Sequence, residues 1–194
     1  MLDWPILWYV RQKFPDVCHM TTDDLDTRLN RTSISNQPDE TSQTISEPKN
    51  PIVIVDCRRR DEFEVSHIPD AKCLHFQTED RILLDFLLEE CQKYLNIDTA
   101  TNEINVVCYC SLGYRSSMLA QRIEKLTKSD SVLNRKSIKV WNLEGSIFKW
   151  ANENRHMIDT NRKPTKFAHP FSYTFCMFLQ KDYWKWTPDV KEES

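Results

Sequence analysis

The chain has 194 residues, 40% hydrophobic and 28% charged, enough for one domain with a full core and some additions. Its 26 Lys and Arg against 29 Asp and Glu leave a net charge of −3, which argues against a nucleic-acid or anionic-membrane footprint. No apolar run approaches the roughly 18 residues that a membrane helix needs. Glycine is scarce: there are two, Gly113 and Gly145, where an average usage of about 7% gives roughly 14. A chain that dispenses with glycine almost everywhere has a backbone reason to keep these two.

Met1–Phe14 carries Asp3, Pro5 and Arg11 where a secretory signal has an unbroken apolar stretch, and its acid and single Arg suit a mitochondrial presequence poorly. Seven cysteines, an odd count with no small-scaffold spacing, point to free thiols in a reducing compartment, the cytoplasm, rather than to a disulfide framework. Residues 1–18 read as an amphipathic helical lead segment with a turn at Phe14-Pro15-Asp16. A short helix follows, capped by Thr21 or Thr22, with Asp23 and Asp24 in its first turn where the helix dipole favours acids. From about 30 to 50 only Ile34 and Ile45 are apolar, so that stretch reads as a disordered surface insertion in a domain spanning residues 19–160.

Three apolar runs in this domain alternate with helical ones. Ile52–Val55, Ile104–Cys108 and Ile138–Leu143 read as strands, the first two continuously apolar as in a sheet covered on both faces. Arg81–Asn96, Arg115–Lys128 and Ser146–Asn152 read as helices, the second with Met118, Leu119, Ile123 and Leu126 on one side. This alternation predicts an α/β fold, a central parallel sheet flanked by helices in three layers, with ligands at the carboxyl ends of the strands.

Residues 161–194 form an aromatic extension: Phe167–Trp186 alone holds eight of the chain's 21 aromatics. It is too short and too polar at its end to span a membrane. The expectation is a helix docked on the domain beside Trp4, Leu7 and Trp8; the alternative is a site for a protein partner or a membrane surface.

The chemistry concentrates where the strand ending at Tyr109 meets Cys110-Ser111-Leu112-Gly113-Tyr114-Arg115 and opens into a helix. A thiol there faces unpaired amides of the loop and the first helical turn, and the dipole favours its anion. Both effects lower the thiol pKa and make a reactive nucleophile. Gly113 lets the loop curl with its amides inward, and Arg115 adds a fixed charge.

These residues resemble the rhodanese family, whose active-site signature C-x-x-G-x-R reads here as Cys110, Gly113 and Arg115. Upstream, Asp56-Cys57-Arg58, Glu62-Phe63 and Ser66-His67-Ile68-Pro69-Asp70-Ala71 are similar to its D-x-R, E-[FY] and G-H-I-P-G-A elements. Downstream, Val140–Ser146 and Trp150 resemble its V-x-x-L-x-G-G…W element, so the likeness covers roughly residues 51–155. The family usually carries glycine where this chain has Ser66, Asp70 and Ser146.

The resemblance implies a three-layer rhodanese fold and a sulfurtransferase. Cys110 takes a sulfane sulfur from thiosulfate or a persulfide and passes it to a thiol or cyanide-like acceptor, with Ser111, Leu112, Gly113, Tyr114 and Arg115 cradling the substrate. It implies no metal, no organic cofactor, and as partners a small-molecule or protein sulfur donor and a thiol acceptor. Related phosphatases place five residues between Cys and Arg, whereas four separate Cys110 from Arg115, and Tyr109 stands where they usually carry His. A non-catalytic binding module is the other alternative, opposed by the intact Cys110. Ser111-Leu112 replace the basic residue that many thiosulfate-using members carry beside the cysteine. Asp56 and Arg58 read as a brace, His67 as a hydrogen-bonding turn residue rather than a base, and Cys108 as core rather than a resolving thiol. No paired Cys or His spacing suits zinc.

Overall fold

The computed structural model describes residues 4–34, 50–94, 103–135 and 137–187. Five parallel strands lie in the order β1-β5-β4-β2-β3: β1 (Cys18–Met20), β2 (Ile52–Asp56), β3 (Lys72–Cys73), β4 (Glu103–Tyr109) and β5 (Ser137–Leu143). The helices are α1 (Trp4–Lys13), α2 (Thr22–Ile34), α3 (Arg60–Val65), α4 (Asp80–Gln92), α5 (Tyr114–Ser129) and α6 (Ser146–Asn152). A small antiparallel pair, β6 (Met157–Ile158) and β7 (Pro164–Thr165), follows.

Successive strand residues point to opposite faces, so each strand feeds two cores. Val53, Val55, Val106, Cys108 and Cys110 pack with α1, α4 and α5 through Val10, Leu83, Leu87, Leu119 and Ile123. Ile54, Val107, Tyr109 and Leu143 pack on the other face with Leu25, Phe63, Ile147, Phe148 and Trp150 from α2, α3 and α6. The expected parallel three-layer α/β architecture is therefore present, and α6 has the predicted limits. Thr21 caps α2, its hydroxyl accepting the Asp24 N–H at 3.1 Å.

Short elements escape the pattern reading: β1, α3 and β3 have only three, six and two residues, and β6 and β7 two each. Helix α2 runs to Ile34, into the stretch expected to be disordered, because its capped first turn starts a helix that polar residues can continue. The rest of the expected insertion, 35–49, lies outside the described residues.

The carboxyl-terminal extension corrects an expectation. It docks, but as irregular chain with two 3-10 turns, Cys176–Phe178 and Lys181–Tyr183, rather than as an α-helix. Pro170 lacks an N–H, and the Asn152 side chain of α6 takes up two of the segment's backbone groups, donating to the Phe178 carbonyl at 2.8 Å and accepting the Gln180 N–H at 2.9 Å. Ala168 and Leu179 are buried in the core of α2, α3 and α6, whereas Val10 and Phe14 of the lead segment belong to the opposite core and Trp8 is 60% exposed. The sheet separates the two segments, so the lead helix is not the tail's seat; the side chain of Trp4 lies outside the described part. No helix among the described residues is long and apolar enough to cross a membrane.

Leu179 is 2% exposed, so Leu179→Ala should lower unfolding free energy by about 2–5 kcal/mol in denaturant titration. A change within about 0.5 kcal/mol, typical of surface positions, would mean that the extension is not part of the core.

Candidate active site

Parallel pairing of β2 and β4 ends at Asp56 beside Tyr109, so the next residues, Cys57 and Cys110, leave the sheet side by side. The Cys57 N–H donates to the Tyr109 carbonyl at 2.9 Å, continuing the ladder past the strand end. Beyond Cys110 the chain turns through Ser111–Gly113 into α5. Two amides in the first turn of α6 hold this loop: Ile147 N–H donates to the Cys110 carbonyl at 3.1 Å and Phe148 N–H to the Ser111 carbonyl at 3.2 Å. The Ser146 hydroxyl accepts the Cys110 N–H at 3.1 Å. The loop is thus wedged between two helix amino termini.

Gly113 adopts φ +109°, a left-handed conformation that lets its N–H point back to Cys110 Sγ at 3.0 Å. A Cβ there would also press on the Asn142 side chain at 3.3 Å. Gly145, at φ +73°, turns the chain into α6, where a Cβ would collide with Cβ of Lys149 at 2.6 Å. Asp70 and Ser146, which stand where the resembled family has glycine, keep left-handed backbone at φ +62° and +53°. Ser66 is extended instead.

Cys110 is only 2% exposed. Burial opposes ionisation, but the Cys57 thiol, the Arg115 charge and the amide of Ser116 favour the anion, and the thiol lies well below its ordinary pKa. Cys57 is driven the other way, chiefly by burial and by donating its proton to Cys110. Burial likewise raises Cys108. The site therefore favours one thiolate, Cys110, hydrogen-bonded by a neighbouring thiol.

Arg115 does not stand free in the loop. Its two Nη groups donate to the Glu62 carboxylate at 2.7 and 2.8 Å, one also reaches Ser111 Oγ at 2.8 Å, and the Phe171 ring lies 4.3 Å from the guanidinium carbon. Glu62, on the short α3, additionally accepts the Arg59 N–H at 3.1 Å and the Ser111 hydroxyl at 3.2 Å. Burial works against the carboxylate, yet the bonds and charge of Arg115 outweigh it and bring Glu62 down to about 2. The carboxyl-terminal extension thus reaches the rim of the site through Phe171.

Of the residues expected to cradle substrate, Cys110, Gly113 and Arg115 gather around the sulfur, and Ser111 joins through its bonds to Glu62 and Arg115. Leu112 packs on the α6 side of the sheet, and the ring of Tyr114 lies against Tyr9 and Phe14. Arg58 is buried against Asp56 and donates to the Ser66 carbonyl at 2.6 Å, an internal brace. His67 Nδ1 lies 3.1 Å from the Phe63 carbonyl and its ring stacks on Phe63, a turn position rather than a place beside the thiol. Tyr109 accepts the Ile68 N–H through its hydroxyl, tying that turn to β4.

Sequence reasoning missed Cys57, Glu62 as the partner of Arg115, and Ser116, Asn142 and His19 behind the sulfur. Only Cys57 had a readable signal: it follows one strand as Cys110 follows another, but nothing local says that the strands are neighbours in register.

A family model for the rhodanese-like domain matches residues 37–153. Among solved structures, the chain is similar to a yeast protein tyrosine phosphatase of the rhodanese family, at 20% identity over 71% of this chain and 85% of that one, with a TM-score of 0.48. It is also similar to a thiosulfate sulfurtransferase from Pseudomonas aeruginosa, at 15% identity over 79% of this chain and 22% of that one, with a TM-score of 0.48. A rhodanese-like domain protein from Staphylococcus aureus shares 21% identity over 69% of this chain and 91% of that one, with a TM-score of 0.38. No curated protein matches the chain.

Glu62 ionises near 2 in the fold against an ordinary 4.5, so its contribution, about 3 kcal/mol, is present above pH 4.5 and is lost as pH falls toward 2. Glu62→Gln should flatten stability against pH across that window in denaturant titrations and lower it at neutral pH. Cys57→Ala should raise the apparent pKa of Cys110, read from the pH dependence of its alkylation by iodoacetamide; an unchanged profile would deny Cys57 its hydrogen bond.

Proposed function

The chain belongs to the rhodanese-like domain family, and from that premise we propose that it is a sulfurtransferase whose Cys110 carries the sulfur. The observation that carries this reading is the Gly113 N–H aimed at Cys110 Sγ at 3.0 Å, beside the first turn of α5. The thiolate attacks the sulfane sulfur of a donor, the donor's bond to that sulfur breaks, and its remainder leaves as an anion. Cys110 becomes a persulfide whose terminal sulfur is negative, and the same amides stabilise that charge. A thiolate or cyanide-like acceptor then removes the terminal sulfur and restores the Cys110 thiolate. The cycle calls on this chain's own groups only.

The loop chemistry favours a persulfide over thiosulfate as donor. Arg115 is the one cation among residues 110–115, and the Glu62 carboxylate already balances it. A dianion would meet little uncompensated positive charge there, whereas a neutral or singly charged persulfide asks for less. The same pairing weighs against phosphate-ester hydrolysis. That chemistry needs the guanidinium on the departing phosphate, and the loop between Cys110 and Arg115 is one residue shorter than in phosphatases of this general fold.

Intact-mass measurement after treatment with a low-molecular-weight persulfide should show the addition of one sulfur, absent in Cys110→Ser. No adduct with any sulfane donor would overturn the reading in favour of a binding module. Gly113→Ala should reduce sulfur transfer per folded molecule at least tenfold, because both the amide direction and the space beside Asn142 change. Gly145→Ala should instead lower melting temperature with transfer largely kept; equal effects of the two on activity would count against the assignment.

A further inference from the structure

Behind the groups that touch the sulfur directly stands a second set of hydrogen bonds, entered through Ser116. Ser116, in the first turn of α5, places its hydroxyl oxygen 3.5 Å from Cys110 Sγ and 2.6 Å from Asn142 Oδ1. Asn142, fully buried on β5, places Nδ2 3.1 Å from Nδ1 of His19. His19 reaches it because parallel pairing of β1 and β5 sets His19 directly beside Asn142. The Gly113 backbone closes over this amide, since a Cβ there would lie 3.3 Å from Nδ2. A continuous hydrogen-bonded line therefore runs from His19 through Asn142 and Ser116 to the reactive sulfur.

We propose that His19 is a positioning residue for Cys110, deciding through the Asn142 carboxamide whether the Ser116 hydroxyl donates to the sulfur. The inference follows from counting protons. A carboxamide nitrogen only donates, so an Nδ2 facing His19 requires Nδ1 to accept, and the ring is neutral with its proton on Nε2. Asn142 Oδ1 then faces Ser116 and takes its single hydroxyl proton, leaving Cys110 with the amides of Gly113 and Ser116 and the Cys57 thiol. A doubly protonated ring reverses the line. Nδ1–H now needs an acceptor, the carboxamide turns half a revolution with hardly any change of shape, and Nδ2 donates to Ser116 Oγ. The Ser116 proton is released to the sulfur.

Proton on His19 and negative charge on sulfur therefore support each other, and the support is reciprocal. The groups around the ring set the balance: burial and Arg11 of α1 oppose its protonation, and Glu144, which follows β5 and pairs with Arg11, favours it. Around the sulfur stand Cys57, Cys108 and Arg115, the last paired with Glu62. His19 Nε2 is buried and has no partner among the described residues, so Nδ1 is the ring's only bonded nitrogen there and the Asn142 contact alone reports its protonation. The inference deepens the sulfur-transfer reading and rests on it only in taking Cys110 as the reacting thiol.

The test is a pH titration of the His19 ring by nuclear magnetic resonance in the full chain, for wild type, Ser116→Ala and Ser116→Thr. The neutral ring should carry its proton on Nε2. Ser116→Ala should lower the proton affinity of His19 about fivefold, the scale of one hydrogen bond, and Ser116→Thr, which keeps the hydroxyl, should restore it. Equal affinities in wild type and Ser116→Ala would overturn the proposal, showing that any influence of the sulfur travels through space. A neutral ring with its proton on Nδ1 would overturn it from the wild-type protein alone. Neither reading needs a sulfur donor, so a chain that forms no persulfide yet shows the coupled titration would lose the proposed function and keep this relay.

Discussion

Holding a negative sulfur inside a protein is the constraint on which the rest of this site depends. Cys110 is almost wholly buried, and burial alone would keep it a neutral thiol. Its environment reverses that preference with the Gly113 amide in the loop, the Ser116 amide in α5, the Cys57 thiol at the end of β2 and the field of Arg115. Gly113, Arg115 and Ser116 come from the loop and helix start that follow Cys110, Cys57 comes from the neighbouring strand end, and each arrives through a regular feature of the fold. The sheet register delivers Cys57, the helix start delivers Ser116, and the left-handed Gly113 delivers its own amide. No single contact has to be strong because several act on one atom.

Arg115 ties the charge near the sulfur to two other parts of the fold. Its charge lies close enough to favour the thiolate, yet its hydrogen-bonding edge is turned to Glu62 and its face to Phe171. A guanidinium so held reaches the sulfur through its field. Glu62 in turn needs α3, a six-residue helix that starts just after the Arg59 amide it accepts, and Phe171 needs the carboxyl-terminal extension, seated on α6 through Asn152. Charge at the sulfur, placement of a minor helix and docking of an irregular tail are thus parts of one arrangement.

The architecture was legible in the sequence wherever burial imposes a period. Continuous apolar runs marked β2 and β4, and the helical spacing of Leu119 and Ile123 marked α5, because both faces of the sheet must be covered. What stayed hidden were elements defined by pairing rather than by pattern. β1 has three residues and becomes a strand only because β5 lies beside it, so His19 could not be placed next to Asn142 from sequence. The tail misled for a related reason: an aromatic-rich segment suggests a helix, but its backbone groups are satisfied by short-range bonds within the tail and, at Phe178 and Gln180, by a side chain of α6. At the site, Cys110, Gly113 and Arg115 announce themselves through loop chemistry, whereas Cys57, Glu62 and Asn142 are joined to them only by strand order.

The two glycines show how little conformational freedom the fold requires. Asp70 and Ser146 keep left-handed backbone with side chains attached, so a positive φ by itself does not demand glycine here. Gly113 and Gly145 differ because each also meets a neighbour where a Cβ would stand, Asn142 in one case and Lys149 in the other. For Gly145 that neighbour is one turn along its own helix, a local matter of starting α6. For Gly113 it is the buried amide that joins Ser116 to His19, so the residue that aims an N–H at the sulfur also sets the clearance of the line behind it. The fold does without glycine at Asp70 and Ser146, while any side chain at position 113 acts on both sides of Cys110 at once.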